Sequence, residues 1–225
     1  MALIQITDIN KTYTQGKIQI HALKGVTISI HSGGFVALAG PSGSGKTTLL
    51  NIIGGLDTVD SGTIIVDGHE YQNMRSSQLA NLRLYKIGFV FQAYNLIPVL
   101  SALENVEFVM QLQGVSSKER RSRAMKILDE VGLAEMYHRR PHELSGGQQQ
   151  RVAVARAIVS NPSLVLADEP TANLDSETGK GLLMLMKEMN EKKNVTFVFS
   201  THDPMVMNYA SRKILLRDGV VVDDV

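Results

Sequence analysis

The chain has 225 residues, 44% of them hydrophobic, with 23 basic and 22 acidic side chains and a formal net charge of +1. That length supports one sizeable core, with room for a smaller lobe, and not two ordinary domains. The charge balance excludes a partner held by bulk electrostatics, so no nucleic acid is expected, and the lack of Cys excludes a disulfide framework or a thiolate metal site. The opening MALIQITDINKTY lacks the basic region and continuous apolar stretch of a signal peptide. No apolar run approaches the roughly 18 residues of a membrane span. Work at a membrane is therefore expected to go through another chain.

Alternating apolar positions in LIQITDI, and again at Val26, Ile28 and Ile30, predict half-buried antiparallel strands. FVALAG predicts a buried strand, TTLLNIIGGL a helix, and SGTIIVDG a strand closing on an Asp-Gly turn. IGFVF predicts another buried strand, ending at Gln92. From there to about Ser160 the pattern is mostly helical. Ser101 and Glu104 form a capping box, and Ala124, Ile127, Leu128 and Val131 mark one helix face at i, i+3, i+4 and i+7. SLVLADEP and VTFVFSTHD lack polar alternation, as strands buried on both faces do, with the helix GKGLLMLMKEMN between them. ILLRDGVVV predicts a closing hairpin at Asp218-Gly219. The sum is an α/β fold with a parallel core and a helical insertion. Residues 92–160 form the expected helical subdomain, and 1–91 with 161–225 the α/β core, within one domain spanning 1–225.

GPSGSGKTT fits the pattern G-x-x-x-x-G-K-[ST] between a buried strand and a helix. A chance match in a chain of this length has a probability of roughly 1% at average residue frequencies. In such a loop, Gly40, Gly43 and Gly45 let the backbone curl so that its N–H groups surround phosphates, while Pro41, Ser42 and Ser44 complete the nucleotide-binding turn. Lys46 reaches the terminal phosphates, the Thr47 hydroxyl can ligate Mg²⁺, and Thr48 continues the helix start. The metal needs an acid at a neighbouring strand end, and SLVLADEP supplies Asp168 for Mg²⁺ and Glu169 to polarise an attacking water. His202 and Gln92 also end apolar strands. Taken alone, His202 reads as a surface histidine or a γ-phosphate contact, and Gln92 as a surface amide or a Mg²⁺ or water ligand.

LSGGQQQRVAVARAI opens a helix with Ser145, Gly146, Gly147 and Gln148, whose free N–H groups suit an anion. No Lys or metal ligand accompanies it, so it is half a phosphate site.

GPSGSGKT, LSGGQ and LVLADEP occur in the order found in the ATP-binding subunits of ABC transporters, which the chain resembles over essentially its whole length. The resemblance implies a P-loop ATPase with a RecA-like parallel-sheet core, an N-terminal antiparallel β subdomain and an inserted helical subdomain. It implies ATP and Mg²⁺ as cofactors, with Tyr13 stacking on adenine, Gln92 in the Q-loop, Ala172 to Asp175 as the D-loop, and His202 as the switch histidine. Glu169 resembles the catalytic carboxylate. It also explains the half-site, because such subunits form ATP-dependent head-to-tail homodimers in which Ser145, Gly146 and Gly147 cover the partner's ATP. FVFQAYNLIPVLSALENV and DEPTANLD resemble the lipoprotein-release, macrolide-export and peptide-resistance group. That implies a cytoplasmic subunit, peripheral on the inner face of the membrane, and a transmembrane permease docking near Gln92 to Leu100. With the sequence ending at Val225, soon after the hairpin, the C-terminal regulatory domain of several importers is not expected.

AYNLIPVL is apolar but broken by Pro98, so it is expected to face a partner, with Leu96 and Ile97 as contacts. The basic run SKERRSRAMK reads as a solvated helix face, and the Met residues at 184, 186 and 189 as core packing. Other readings are a soluble ABC ATPase of DNA repair or translation, a cell-division regulatory ATPase, a P-loop kinase and a non-hydrolysing module. Proteins of the first kind generally carry long coiled-coil insertions or two ATP modules, neither of which is visible in this sequence, the kinase has no use for LSGGQ, and Glu169 argues against the last.

Overall fold

The computed structural model describes residues 2–16 and 18–225. Its elements run β1 (Ala2–Gln15), β2 (Ile18–His31), β3 (Phe35–Ala39), α1 (Lys46–Ile53), β4 (Ser61–Val66), β5 (His69–Glu70), α2 (Ser76–Lys86) and β6 (Ile87–Val90). There follow α3 (Ala102–Leu112), α4 (Ser117–Glu130), α5 (Gly146–Ile158), β7 (Leu164–Asp168), α6 (Ser176–Lys193), β8 (Thr196–Thr201), α7 (Pro204–Tyr209), β9 (Arg212–Arg217) and β10 (Val220–Asp224).

Two sheets form. Strands β2-β1-β4-β5 make an antiparallel sheet, and β10-β9-β3-β8-β7-β6 a second one in which only the edge strand β10 is antiparallel. The central strands carry no polar alternation because both faces are covered. Side-chain alternation then sends Phe35, Val165, Ala167, Phe197 and Phe199 to a core shared with α3, α4, α5 and α6. Val36, Leu38, Leu164, Leu166 and Val198 go to a second core against α1 and the antiparallel sheet. The Phe35 ring sits 4.5 Å from that of Phe199, centroid to centroid. Each such fully buried ring contributes about 1.5–3 kcal/mol.

The capping box at Ser101 is present, its hydroxyl accepting from the Glu104 N–H. The α4 face of Ala124, Ile127 and Leu128, with Val131 just beyond, is buried and the basic run is largely exposed. Among the described residues no helix is long and apolar enough to cross a membrane.

Three expectations need correction. The helix α2 has no counterpart in the sequence reading, because Leu82 is its one buried residue and no apolar stripe marks it. Strand β6 stops at Val90, so Gln92 stands in the loop beyond it. Met186 and Met189 are buried, but Met184 is 55% exposed because it lies on the opposite face of α6.

Candidate nucleotide site

The glycine-rich loop joins β3 to α1 through Gly40 (φ +150°), Gly43 (φ +79°) and Gly45 (φ +101°), all with left-handed backbone. A Cβ on Gly40 would lie 2.2 Å from the Leu216 carbonyl oxygen, and one on Gly45 would lie 2.6 Å from that of Ala22. The loop is thus wedged between β9 and β2. Lys46 Nζ donates to the carbonyl oxygens of Gly40 and Pro41, both at 2.8 Å. Burial lowers the Lys46 pKa, opposed by the charges of Glu169 and Asp168.

Thr47 Oγ1 donates to Asp168 Oδ1 at 3.2 Å. A hydroxyl beside one carboxylate, both hard oxygen donors, fits Mg²⁺, which takes few protein ligands and completes its shell with phosphates and water. Glu169 follows β7 with φ +44°, an uncommon backbone for a non-glycine residue. Its N–H donates to the Ser200 carbonyl at 2.9 Å, which fixes it at the parallel strand ends. Its Oε1 accepts from His202 Nδ1 at 2.6 Å. The imidazole, 68% exposed, therefore holds a carboxylate that is only 15% exposed.

These groups line one cleft of about 700 Å³, together with Tyr13, Pro41, Ser42, Gly43, Gly45, Thr48 and Gln92. Gly40 and Ser44 are not part of that lining; Ser44 is 2% exposed and its Oγ has no hydrogen-bond partner among the described residues. The lining also includes Ile20 and His21 of β2, the cross-strand partners of Tyr13 and Thr12, which sequence reasoning missed. Ile18 and Ile20, exposed apolar residues two apart in a strand, were the available signal.

The LSGGQ segment lies elsewhere. Ser145 caps α5, accepting from the Gln148 N–H at 3.3 Å, while Gln148 Oε1 accepts from the Ser145 N–H at 2.9 Å. Gln148 thus spends its side-chain oxygen on the helix start. A Cβ on Gly147 would lie 2.4 Å from Thr178 Cγ2, so this glycine also lets α5 approach α6.

Three side chains tie these parts together. Asn173 Nδ2 donates to the Gln92 carbonyl at 2.9 Å. Gln150, fully buried on α5, donates to the Pro170 carbonyl at 2.9 Å. Arg156 donates to the carbonyls of Tyr94 at 2.9 Å and Asn95 at 2.5 Å, holding two consecutive left-handed residues (φ +62° and +48°).

A parallel sheet with a phosphate loop after β3 and an acid pair after β7 defines a P-loop ATPase. The family profile described as ABC transporter matches residues 23–172. The chain is 48% identical to the macrolide export ATP-binding/permease protein MacB of Syntrophobacter fumaroxidans over 98% of its own length, which is 31% of that protein. It therefore spans about a third of that relative. It is also 46% identical to an uncharacterized ABC transporter ATP-binding protein of Thermotoga maritima, covering 96% of this chain and 92% of the other. Among solved structures, the ATP-binding cassette MJ0796 of Methanocaldococcus jannaschii, a dimer in a post-hydrolysis state bound to ADP and Pi, superimposes with a TM-score of 0.91 at 44% identity. That match covers 99% of this chain and 97% of the other. The chain belongs to the ABC transporter family and is an ATPase domain of that family.

Proposed function

We propose that this chain is the ATP-driven motor subunit of a membrane ABC complex of the export or lipoprotein-release type, acting as a head-to-tail homodimer on the cytoplasmic face. The observation carrying this reading is the separation of the two half-sites: Ser145, Gly146, Gly147 and Gln148 do not line the cleft that holds Lys46, Asp168 and Glu169. A helix start presenting N–H groups with no phosphate site of its own suits a nucleotide held by a second copy. The MJ0796 relative, a dimer bound to ADP and Pi, supports dimerisation of such a domain. Residues 92–160 act in it as the helical arm that carries LSGGQ.

Within the cleft, Lys46 and the loop N–H groups bind the triphosphate, and Tyr13 receives the adenine. Thr47, Asp168 and the Gln92 amide would hold Mg²⁺, which neutralises charge on the phosphates when bound. Glu169 accepts the proton of the attacking water, and the His202 Nδ1–H bond to Oε1 keeps its carboxylate aimed. Loss of the γ-phosphate removes the contact joining the two chains and reopens them.

The test is the solution mass of Glu169→Gln by light scattering. Dimers that form only with ATP and Mg²⁺ would support the composite site, whereas dimers indifferent to nucleotide would sink it. Ser145→Ala gives a second check. Loss of the helix cap costs about 1 kcal/mol of stability. Turnover is nevertheless expected to fall at least tenfold, as when one phosphate-facing donor is lost. A fall no larger than the melting shift explains would return Ser145 to a purely capping role.

The permease contact is expected beside the Q-loop. A groove of about 560 Å³ runs between α2, β6, α3 and α5, lined by Leu56, Leu84, Phe89, Phe91, Val109 and Leu112. Leu112 is 58% exposed and Leu56 49%, more apolar surface than a lone subunit needs here. Leu96, expected as a contact, is half-buried and packs partly against the helical core. Ile97 is pinned through its backbone to Asn105, whose side-chain oxygen accepts from the Ile97 N–H at 2.8 Å. Charge at Leu96 should therefore damage folding. Leu112→Glu is the sharper variant: it should abolish copurification with the permease while the isolated subunit hydrolyses ATP at its normal rate. Undiminished copurification would move the docking surface elsewhere.

A further inference from the structure

We propose that Asp57 and Lys11 are positioning residues for the nucleobase, Asp57 locking the Tyr13 ring through its hydroxyl and Lys11 covering one ring face, so that the base stacks on the other. The inference rests on the reading of Tyr13 as the base platform and specifies how that platform is built.

Lys11 and Tyr13 stand two apart on β1 and so share a face of the strand. Asp57 comes from the turn after α1. Its Oδ2 accepts from the Tyr13 hydroxyl at 2.5 Å and its Oδ1 from Lys11 Nζ at 2.9 Å. Lys11 Nζ also donates to the Thr58 carbonyl at 2.7 Å and lies 5.1 Å from the Tyr13 ring centroid. This is not a solvated surface pair, because Lys11 is only 7% exposed.

The titration shifts agree with that geometry. Burial works against the Asp57 carboxylate, yet the Tyr13 and Lys11 hydrogen bonds win and its pKa falls. Burial likewise works against the Lys11 ammonium, yet the Asp57 hydrogen bond and charge raise its pKa.

A tyrosine 38% exposed at the mouth of a cleft would otherwise turn about its side-chain bonds. Tied at both its hydroxyl and one face, it meets the base already ordered, and ordering a free side chain on binding would weaken affinity. A cation already over one face leaves a single face for stacking. The helix α1 links the two ends of the nucleotide: Lys46 and Thr47 open it, and the turn bearing Asp57 folds back on it, the Leu56 N–H donating to the Asn51 carbonyl at 2.9 Å.

The experiment is a double-mutant cycle on the full chain, read as affinity for ATP and for ribose 5-triphosphate, which carries no base. Tyr13→Ala should weaken ATP about tenfold, the size of one base–aromatic stack. Asp57→Ala, Lys11→Met and Tyr13→Phe should each weaken ATP roughly three- to fivefold through a less ordered ring, with ribose 5-triphosphate unaffected. In the Tyr13→Ala background, Asp57→Ala should add less than about twofold.

Equal weakening of both ligands by Asp57→Ala, or its full effect persisting without Tyr13, would overturn the proposal and leave base stacking intact. Unchanged ATP affinity in Tyr13→Ala would instead overturn the platform reading itself. Should Asp57→Ala fail to fold, Tyr13→Phe and Lys11→Met decide, since the former keeps the ring and removes only the lock; an unchanged affinity in both would overturn the proposal.

Discussion

Glu169→Gln is expected to lower ATP turnover by about 10²–10⁴-fold, the range for loss of a positioned general base, while leaving ATP affinity close to wild type. The substitution is isosteric, and the amide oxygen can still accept from His202 Nδ1, which now bonds Glu169 Oε1 at 2.6 Å. Its backbone anchor to Ser200 is untouched. Only the capacity to take a proton disappears. Phosphate release under saturating ATP measures the effect, and a turnover within a few-fold of wild type would remove Glu169 from the chemistry.

Lys46→Ala should fail one step earlier, at binding. The ammonium is the cation of the phosphate loop, held between the Gly40 and Pro41 carbonyls and facing the charges of Asp168 and Glu169. Without it, a triphosphate would meet two carboxylates with less compensating charge. An affinity loss of about 10²-fold or more is expected, in line with removal of one preorganised charge contact. Displacement of a fluorescent nucleotide reads it, and a melting curve separates it from unfolding. Unchanged affinity would mean that the triphosphate lies outside this cleft.

The phosphate loop, the acid pair and the buried strands were legible because each is a local pattern. An apolar run before GPSGSGKTT and another before Asp168 can hardly be anything but central strands of a covered sheet. The capping box at Ser101 was legible for the same reason, whereas the one at Ser145 was not read from LSGGQ. What stayed hidden depends on contacts between distant segments. Nothing in KTY or GLDT tells that Lys11, Tyr13 and Asp57 meet, because β1 and the turn after α1 are brought together only by the antiparallel sheet. Asn105 reads as an indifferent helical residue, yet it is fully buried and its amide donates to the carbonyls of Ile97, Leu100 and Ser101. That pin fixes the course of the apolar loop while leaving Val99 73% exposed at its tip.

The helix α5 is 13 residues long, a rod of about 20 Å. Ser145 stands at its start, Gln150 bonds the residue after Glu169, and near its far end Arg156 grips the loop beside the proposed permease groove. A rod tied through Gln150 to the segment after Glu169 and through Arg156 to that loop transmits tilt instead of absorbing it. In the proposed dimer, a partner's nucleotide engaging Ser145 would shift Arg156 and with it the strained Tyr94-Asn95 pair. Traffic along the rod must run both ways, since coupling between two binding events is reciprocal. In the proposed complex, a permease pressing on that loop would tune how firmly the neighbouring subunit keeps its ATP.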